Sequence, residues 1–203
     1  MTVLLVASPA GIGAVGAASD GGTETARTVD EIEAHLQASV DLVAAGDRDL
    51  AVAHAQTVGE EQWPVIAPQL EAENASLASE LESAITQAPA AARKDSPEAY
   101  EQFVENEILA ALPAATSTLV PADSTENVTF SAGVVSGLLE RASAEYTEGV
   151  SENGTVVETM DYRTAVAYAD KAQQRFEGTI ASSLDEEARS EVAEMFETLD
   201  TRL

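Results

Sequence analysis

Residues 28–59, TVDEIEAHLQASVDLVAAGDRDLAVAHAQTVG, set the fold class. Val29, Ile32, Leu36, Val40 and Val43 recur three or four residues apart, the period of one helical face. Thr28 and Glu31 have the spacing of a capping box, which predicts a helix start there. Gly46 stands where a helix is expected to stop. Asp47 or Asp49 then caps a second helix bearing Leu50, Ala53, His54 and Val58. A helix, a glycine turn and a second helix together make a hairpin.

The same grammar extends outward. Gly59 and Pro64 punctuate the entry to a third helical stretch, which Asn74 interrupts and which continues to about Ala88. QAPAAARKDSP, beginning at Gln87, reads as a linker. Ser96-Pro97-Glu98 is a strong helix start, a cap followed by proline in the first turn. Its apolar face is Tyr100, Phe103, Val104, Ile108 and Leu112. Residues 113–128 read as a polar linker with two prolines. From Thr129, Phe130, Val134, Leu138, Ala142 and Val150 line a long helix, SENGTVVETM turns the chain, and Asp161 opens another helix. Ser183 and Glu186 repeat the capping-box spacing before a last one. No segment alternates as a strand does. The expected fold is all-α, a bundle of about six or seven helices. Its halves, 28–112 and 129–203, are expected to pack as one domain.

Asp47–Ala55 (DRDLAVAHA) aligns with Asp161–Ala169 (DYRTAVAYA), and the register continues to pair Ile66 with Ile180 and Leu70 with Leu184. A duplicated helical hairpin follows, with His54 and Tyr168 as counterparts at the seam.

Composition describes the medium. Among 203 residues, 36 acidic side chains face 10 basic ones, a formal charge of -26, on a chain that is 45% hydrophobic. Disorder combines high charge with low hydrophobicity, so this chain folds. Its self-repulsion opposes compaction in dilute buffer, whereas at ~1 M salt the Debye length is about 3 Å and most of it vanishes. Only Lys94 and Lys171 are lysines. This pattern resembles proteins of halophilic archaea. A basic stripe for nucleic acid is absent. Cysteine is absent too, which excludes disulfides, thiolate metal sites and a lipid anchor on cysteine.

Residues 1–18 carry an apolar run, VLLVASPAGIGAVGAA from Val3, that resembles the core of a secretory signal, with a small-residue cleavage site at Gly16-Ala17-Ala18. No Lys or Arg precedes it, which suits a start codon placed inside a longer signal. The run is short and broken by Pro9, so no transmembrane domain is expected in the mature chain. Residues 19–27, SDGGTETAR, read as a flexible stem. Asn74, Asn127 and Asn153 each open an N-glycosylation sequon, consistent with export to the cell surface or exterior.

Candidate chemistry is sparse. His54 lies on its helix's apolar stripe, with Glu60, Glu61 and Trp63 following; imidazole and carboxylates together can hold a metal ion. His35, on the preceding antiparallel helix, is in reach of His54 but falls beside the Leu36 stripe. The candidate metal set is therefore His54, Glu60, Glu61 and His35, with a metal ion as the only implied cofactor. The competing reading makes His54 a core histidine and Trp63 a packing anchor. No Glu-x-x-His pair exists, and nothing supports an activated nucleophile, a dinucleotide loop or a phosphate loop. No catalytic residue is assigned.

Leu138-Leu139-x-x-Ala142-x-x-x-Tyr146-x-x-x-Val150, Asn153-Gly154-Thr155-Val156 and Asp161-Tyr162 resemble the extracytoplasmic helical module of bacterial-type high-affinity iron permeases. Ala53-His54-Ala55 and Glu60-Glu61-x-Trp63-Pro64 resemble extracellular helical proteins of haloarchaea whose role is uncharacterised. The resemblance implies an exported helical domain accessory to metal handling, with a cell-surface or metal-transport protein as partner. The permease's Arg-Glu-x-x-Glu motifs are missing, so the chain is not itself expected to be the permease. A structural surface domain without ligand is the alternative, and an uncharacterised enzyme the third reading.

Overall fold

A computed structural model describes residues 20–125 and 127–201. The signal-like segment and its cleavage site lie outside them. The described chain is helical throughout, with one isolated bridge, Val150 to Val156, closing the turn expected at SENGTVVETM.

The first helix, α1 (Asp20–Ala45), is antiparallel to α2 (Arg48–Thr57), which runs through a π turn, Val58–Gln62, into α3 (Trp63–Glu73). Next come α4 (Ala75–Lys94) and α5 (Pro97–Phe103), the latter continuing as a π segment, Val104–Leu109. Short helices α6 (Leu112–Leu119) and α7 (Ala122–Thr125) lead to α8 (Val128–Gly149). The chain ends with α9 (Thr159–Arg175), its π extension Phe176–Ile180, and α10 (Glu186–Asp200). In the middle lies α1, packed against α2 on one side and the α8–α9 hairpin on another, with α5 and α6 also against it.

The apolar stripe holds: Val29, Ile32, Leu36, Val40 and Val43 are all buried. Gly46 ends α1 with φ 88°. Its N–H donates to Val43 O at 3.1 Å and that of Asp47 to Leu42 O at 2.9 Å, the paired bonds of a Schellman ending. Asp47 caps α2, its carboxylate accepting from Leu50 N at 3.3 Å. Asn74 both ends α3 and caps α4, and Ser96 caps α5.

Five local expectations fail, three of them where burial or packing extends a helix. Thr28 and Glu31 are no capping box: α1 begins at least two turns earlier, and the Thr28 hydroxyl donates to Glu24 O inside the helix. Residues 20–27, read as stem, are helical because Thr25 and Ala26 are buried and Gly22 lies beneath Phe130. Burial overrides two weakly helical glycines. The expected linker at Gln87 is the end of α4, which passes through Pro89 because Ala88 and Ala92 are fully buried. Much of 113–128 is helix as well; Pro113 sits in the first turn of α6, where proline initiates. Last, α10 is capped by Asp185, and Ser183 lies in a preceding 3-10 turn.

The α8–α9 hairpin is the tightest contact. A Cβ on Gly149 would stand 2.5 Å from the backbone nitrogen of Tyr162, so the α9 backbone occupies the place of a side chain.

Candidate functional site

Three polar side chains from three helices meet in the core. His35 on α1 is 1% exposed, His54 on α2 is 0% exposed, and Tyr168 on α9 is 3% exposed. His35 Nδ1 lies 2.9 Å from His54 Nδ1, and His35 Nε2 lies 2.9 Å from the Tyr168 hydroxyl. The His35 ring meets that of Tyr168 edge-on at 85°. His54 and Tyr168, placed as counterparts by the repeat alignment, thus contact the same imidazole from two sides.

The stripe alone put His35 at its edge. Because α1 is covered from two directions, its buried arc is wider than one stripe, and Asp30, Glu31, Ala34 and His35 are all buried with it.

Two hydrogen-bond arrangements fit the triad. In one, Tyr168 donates to His35 Nε2 and His35 Nδ1–H donates to His54 Nδ1, which leaves the His54 Nε2–H without a partner. In the other, His54 Nδ1–H donates to His35 Nδ1 and His35 Nε2–H donates to the Tyr168 oxygen, whose own O–H is then free for the cavity that Tyr168 lines. Both rings are neutral in either arrangement, because burial disfavours the charged form. Burial first, and then the His54 charge, push His35 down to about 3. Burial and then Arg163 push His54 down to about 4.

Above Tyr168 a cavity of about 100 Å³ opens to solvent. Its walls include Glu31 of α1, Glu61 and Gln62 of the π turn, Arg141 and Glu145 of α8, and Tyr168. Burial raises the Tyr168 hydroxyl, and the charges of Glu31, Glu145 and Glu61 raise it further. Glu31 Oε1 stands 3.1 Å from Arg27 Nε and 3.6 Å from Arg141 Nε. Burial nevertheless holds its carboxyl above the usual range against those two arginines.

The candidate metal residues are distributed as follows. His35 and His54 bond each other, Glu61 is exposed at the mouth, and Glu60 is exposed on the same turn. Among the described residues no group of three or more His, Cys, Asp or Glu is disposed to hold a metal ion. Trp63 is buried in the core, as the packing reading expects. Asn74, Asn127 and Asn153 are exposed, and each side-chain oxygen accepts a local backbone N–H. Gln62, Glu145 and Arg141 escaped the sequence reading. Glu31 had a signal: it precedes His35 by four residues, one helical turn on the same face.

The architecture is that of a helical bundle with a polar core. Residues 121–203, which carry α7 to α10, match a family model described as the iron permease-associated 4-helix bundle domain. The resemblance seen at Leu138 to Tyr162 therefore holds across the second half of the chain. Tyr168 lies inside the matched stretch, whereas His35, His54 and Gln62 lie outside it. No curated protein and no solved structure matches the chain.

Proposed function

We propose that this chain is an exported, non-enzymatic helical module accessory to iron handling, working in concentrated salt beside a membrane-embedded transport partner. The match of residues 121–203 to an iron permease-associated domain carries the reading. Among the described residues no helix is long and apolar enough to cross a membrane, which fits a part that attends a transporter. The charge of -26 supports the high-salt setting. The three exposed sequon asparagines and the apolar run at residues 3–18 support export. In the same reading, the α1–α2 and α8–α9 hairpins descend from one duplicated unit; the alignment of Asp47–Ala55 with Asp161–Ala169 supports this.

One observation favours the second reading, a surface domain with no small ligand: the two histidines satisfy each other rather than a metal. Removal of the chain from its source cells separates the two. The iron reading expects uptake of radiolabelled iron to fall severalfold under iron limitation, with phosphate uptake unchanged. Unaltered iron uptake would reject it.

A further inference from the structure

The three sequon asparagines all reach solvent, but the fold holds them in two different ways. A transferase that reads Asn-x-Ser/Thr must take the asparagine, its successor and the hydroxyl residue into its own active site together. The sequon therefore has to leave the conformation it has in the fold. What is displaced with it differs among the three.

Asn74 is both the end of α3 and the cap of α4. Its N–H donates to Leu70 O at 2.7 Å, its carbonyl accepts from Ala78 N at 3.0 Å, and its side chain accepts from Leu77 N at 3.2 Å. Ala75 and Ser76 are already helical, and the Ser76 hydroxyl donates to Glu80 at 3.1 Å. Asn127 caps α8 in the same manner. Its side chain accepts from Thr129 N at 2.8 Å and Phe130 N at 3.4 Å, and its carbonyl accepts from Ser131 N at 3.0 Å. Val128 and Thr129 are helical, and the next two residues, Phe130 and Ser131, are buried. Drawing either sequon into an enzyme undoes a cap and unwinds a helix end. At Asn127 it also pulls on the core.

Asn153 stands in the turn between α8 and α9, where residues 152–158 are exposed throughout. The hydrogen bonds of this turn close within five residues. Ser151 N–H donates to Thr155 O at 2.9 Å and Gly154 N–H to Ser151 O at 2.8 Å. Asn153 Oδ1 accepts from the Ser151 hydroxyl at 2.6 Å and from Thr155 N at 3.2 Å. Below the turn, the Val150 to Val156 bridge and a 2.8 Å bond from Val157 N–H to Gly149 O tie its base. The turn can open above that base with both helices intact. Val156 and Val157, 43% and 57% exposed, lie beside it, so a glycan here would also cover apolar surface.

We propose that Asn153 is the N-glycan acceptor of the folded chain and that Asn74 and Asn127 stay bare. In the transfer, Asn153 Nδ2 bonds to C1 of a sugar carried on a polyisoprenyl phosphate or diphosphate. The C1–O bond breaks, the lipid phosphate leaves with its electron pair, and Nδ2 gives up one proton. The proposal rests on the export reading, since this transfer takes place outside the cytoplasm.

The test takes the full chain, unglycosylated and with its helices verified by circular dichroism. It is treated with a single-subunit oligosaccharyltransferase and that enzyme's lipid-linked glycan, and mass spectrometry of the digest gives the occupancy of each asparagine. Peptides spanning each sequon calibrate the enzyme, which is chosen because it modifies all three. Relative to its peptide, Asn153 of the folded chain should be modified at least tenfold faster than Asn74 or Asn127. Asn153→Gln and Thr155→Ala should each remove nearly all modification and leave the helical spectrum unchanged. A folded chain modified on that scale as readily at Asn74 or Asn127, or modified nowhere, overturns the proposal. In the source cells, chain recovered from the medium or the cell surface with Asn153 bare would overturn the acceptor and leave export standing. Chain confined to the cytoplasm would overturn export, and the acceptor with it.

Discussion

Toward α2, helix α1 presents a neutral pair, His35 against His54. Toward α8 and α9 it presents charges: Asp30 with Arg175 at 2.6 Å, Glu33 with Lys171 at 2.5 Å, and Glu31 between Arg27 and Arg141. Both faces bury polar groups, and each deals with desolvation differently. Imidazole sheds its charge and uses the lone pair so exposed. The carboxylates next to α9 have guanidinium or ammonium partners, although burial still raises Asp30 despite Arg175. The neutral face depends on shape and tautomer, and the ionic face on Coulomb attraction against desolvation. Acid and salt should therefore pull the two apart.

The largest effect is expected on the neutral face. His35→Ala opens a cavity and strips partners from both Tyr168 and His54, for a loss of about 3–5 kcal/mol in denaturant unfolding. Arg175→Met on the ionic face should cost less, because Asp30 can take up a proton instead of remaining a bare charge. Equal losses would erase the distinction.

Acidification comes next. The folded values of His35 and His54, about 3 and about 4, lie below the ordinary 6.5. The unfolded chain then binds more protons below pH 6.5, so stability falls as pH drops from 6.5 toward 4. From pH 7 to pH 5 the loss is about 2 kcal/mol for each histidine. Asp30 and Glu31 work in the opposite sense, since their raised values make the native state the better proton acceptor. Comparing denaturation midpoints at the two pH values, in ~1 M KCl, should show the wild type losing stability. The double variant His35→Leu/His54→Leu should show little loss or a gain; a wild-type loss retained in that variant would refute the assignment.

Lys171→Met should have the smallest effect. Its side chain is 14% exposed and that of Glu33 is 38% exposed, so solvent screens the pair. The expected cost is at most about 1 kcal/mol in low salt and less in molar salt. A larger, salt-independent cost would mean that this pair behaves as a buried one.

Much of the frame was legible because it is local. The Val29 to Val43 stripe, the Gly46 stop, the Asp47 cap and the Ser96-Pro97 start each depend on neighbours within a turn or two. The helices at 20–27 and 113–125, and the passage through Pro89, were not, since distant side chains bury residues whose own propensities point elsewhere. His54 was legible as a residue of interest. Its bond to His35 was not, because a stripe drawn for a helix with one covered face misplaces a residue on a helix with two. The mouth joins Glu31, Gln62, Glu145 and Tyr168 across four separate segments, and no spacing rule links them.

The arrangement of positive charge carries one more consequence. Arg27, Arg141, Lys171 and Arg175 turn toward α1 carboxylates, Arg48 clasps the carbonyls of Ala92 and Asp95 at the end of α4, and Arg189 holds those of Ala181 and Leu184. Six of the chain's 10 basic residues are thus engaged in contacts within the chain, Arg141 and Arg189 while still exposed at the surface. The 36 acidic side chains far outnumber the basic ones, and dissolved cations provide the balance that the sequence leaves out. The molecule's electrostatic boundary lies in the surrounding ion atmosphere, beyond its own last atoms.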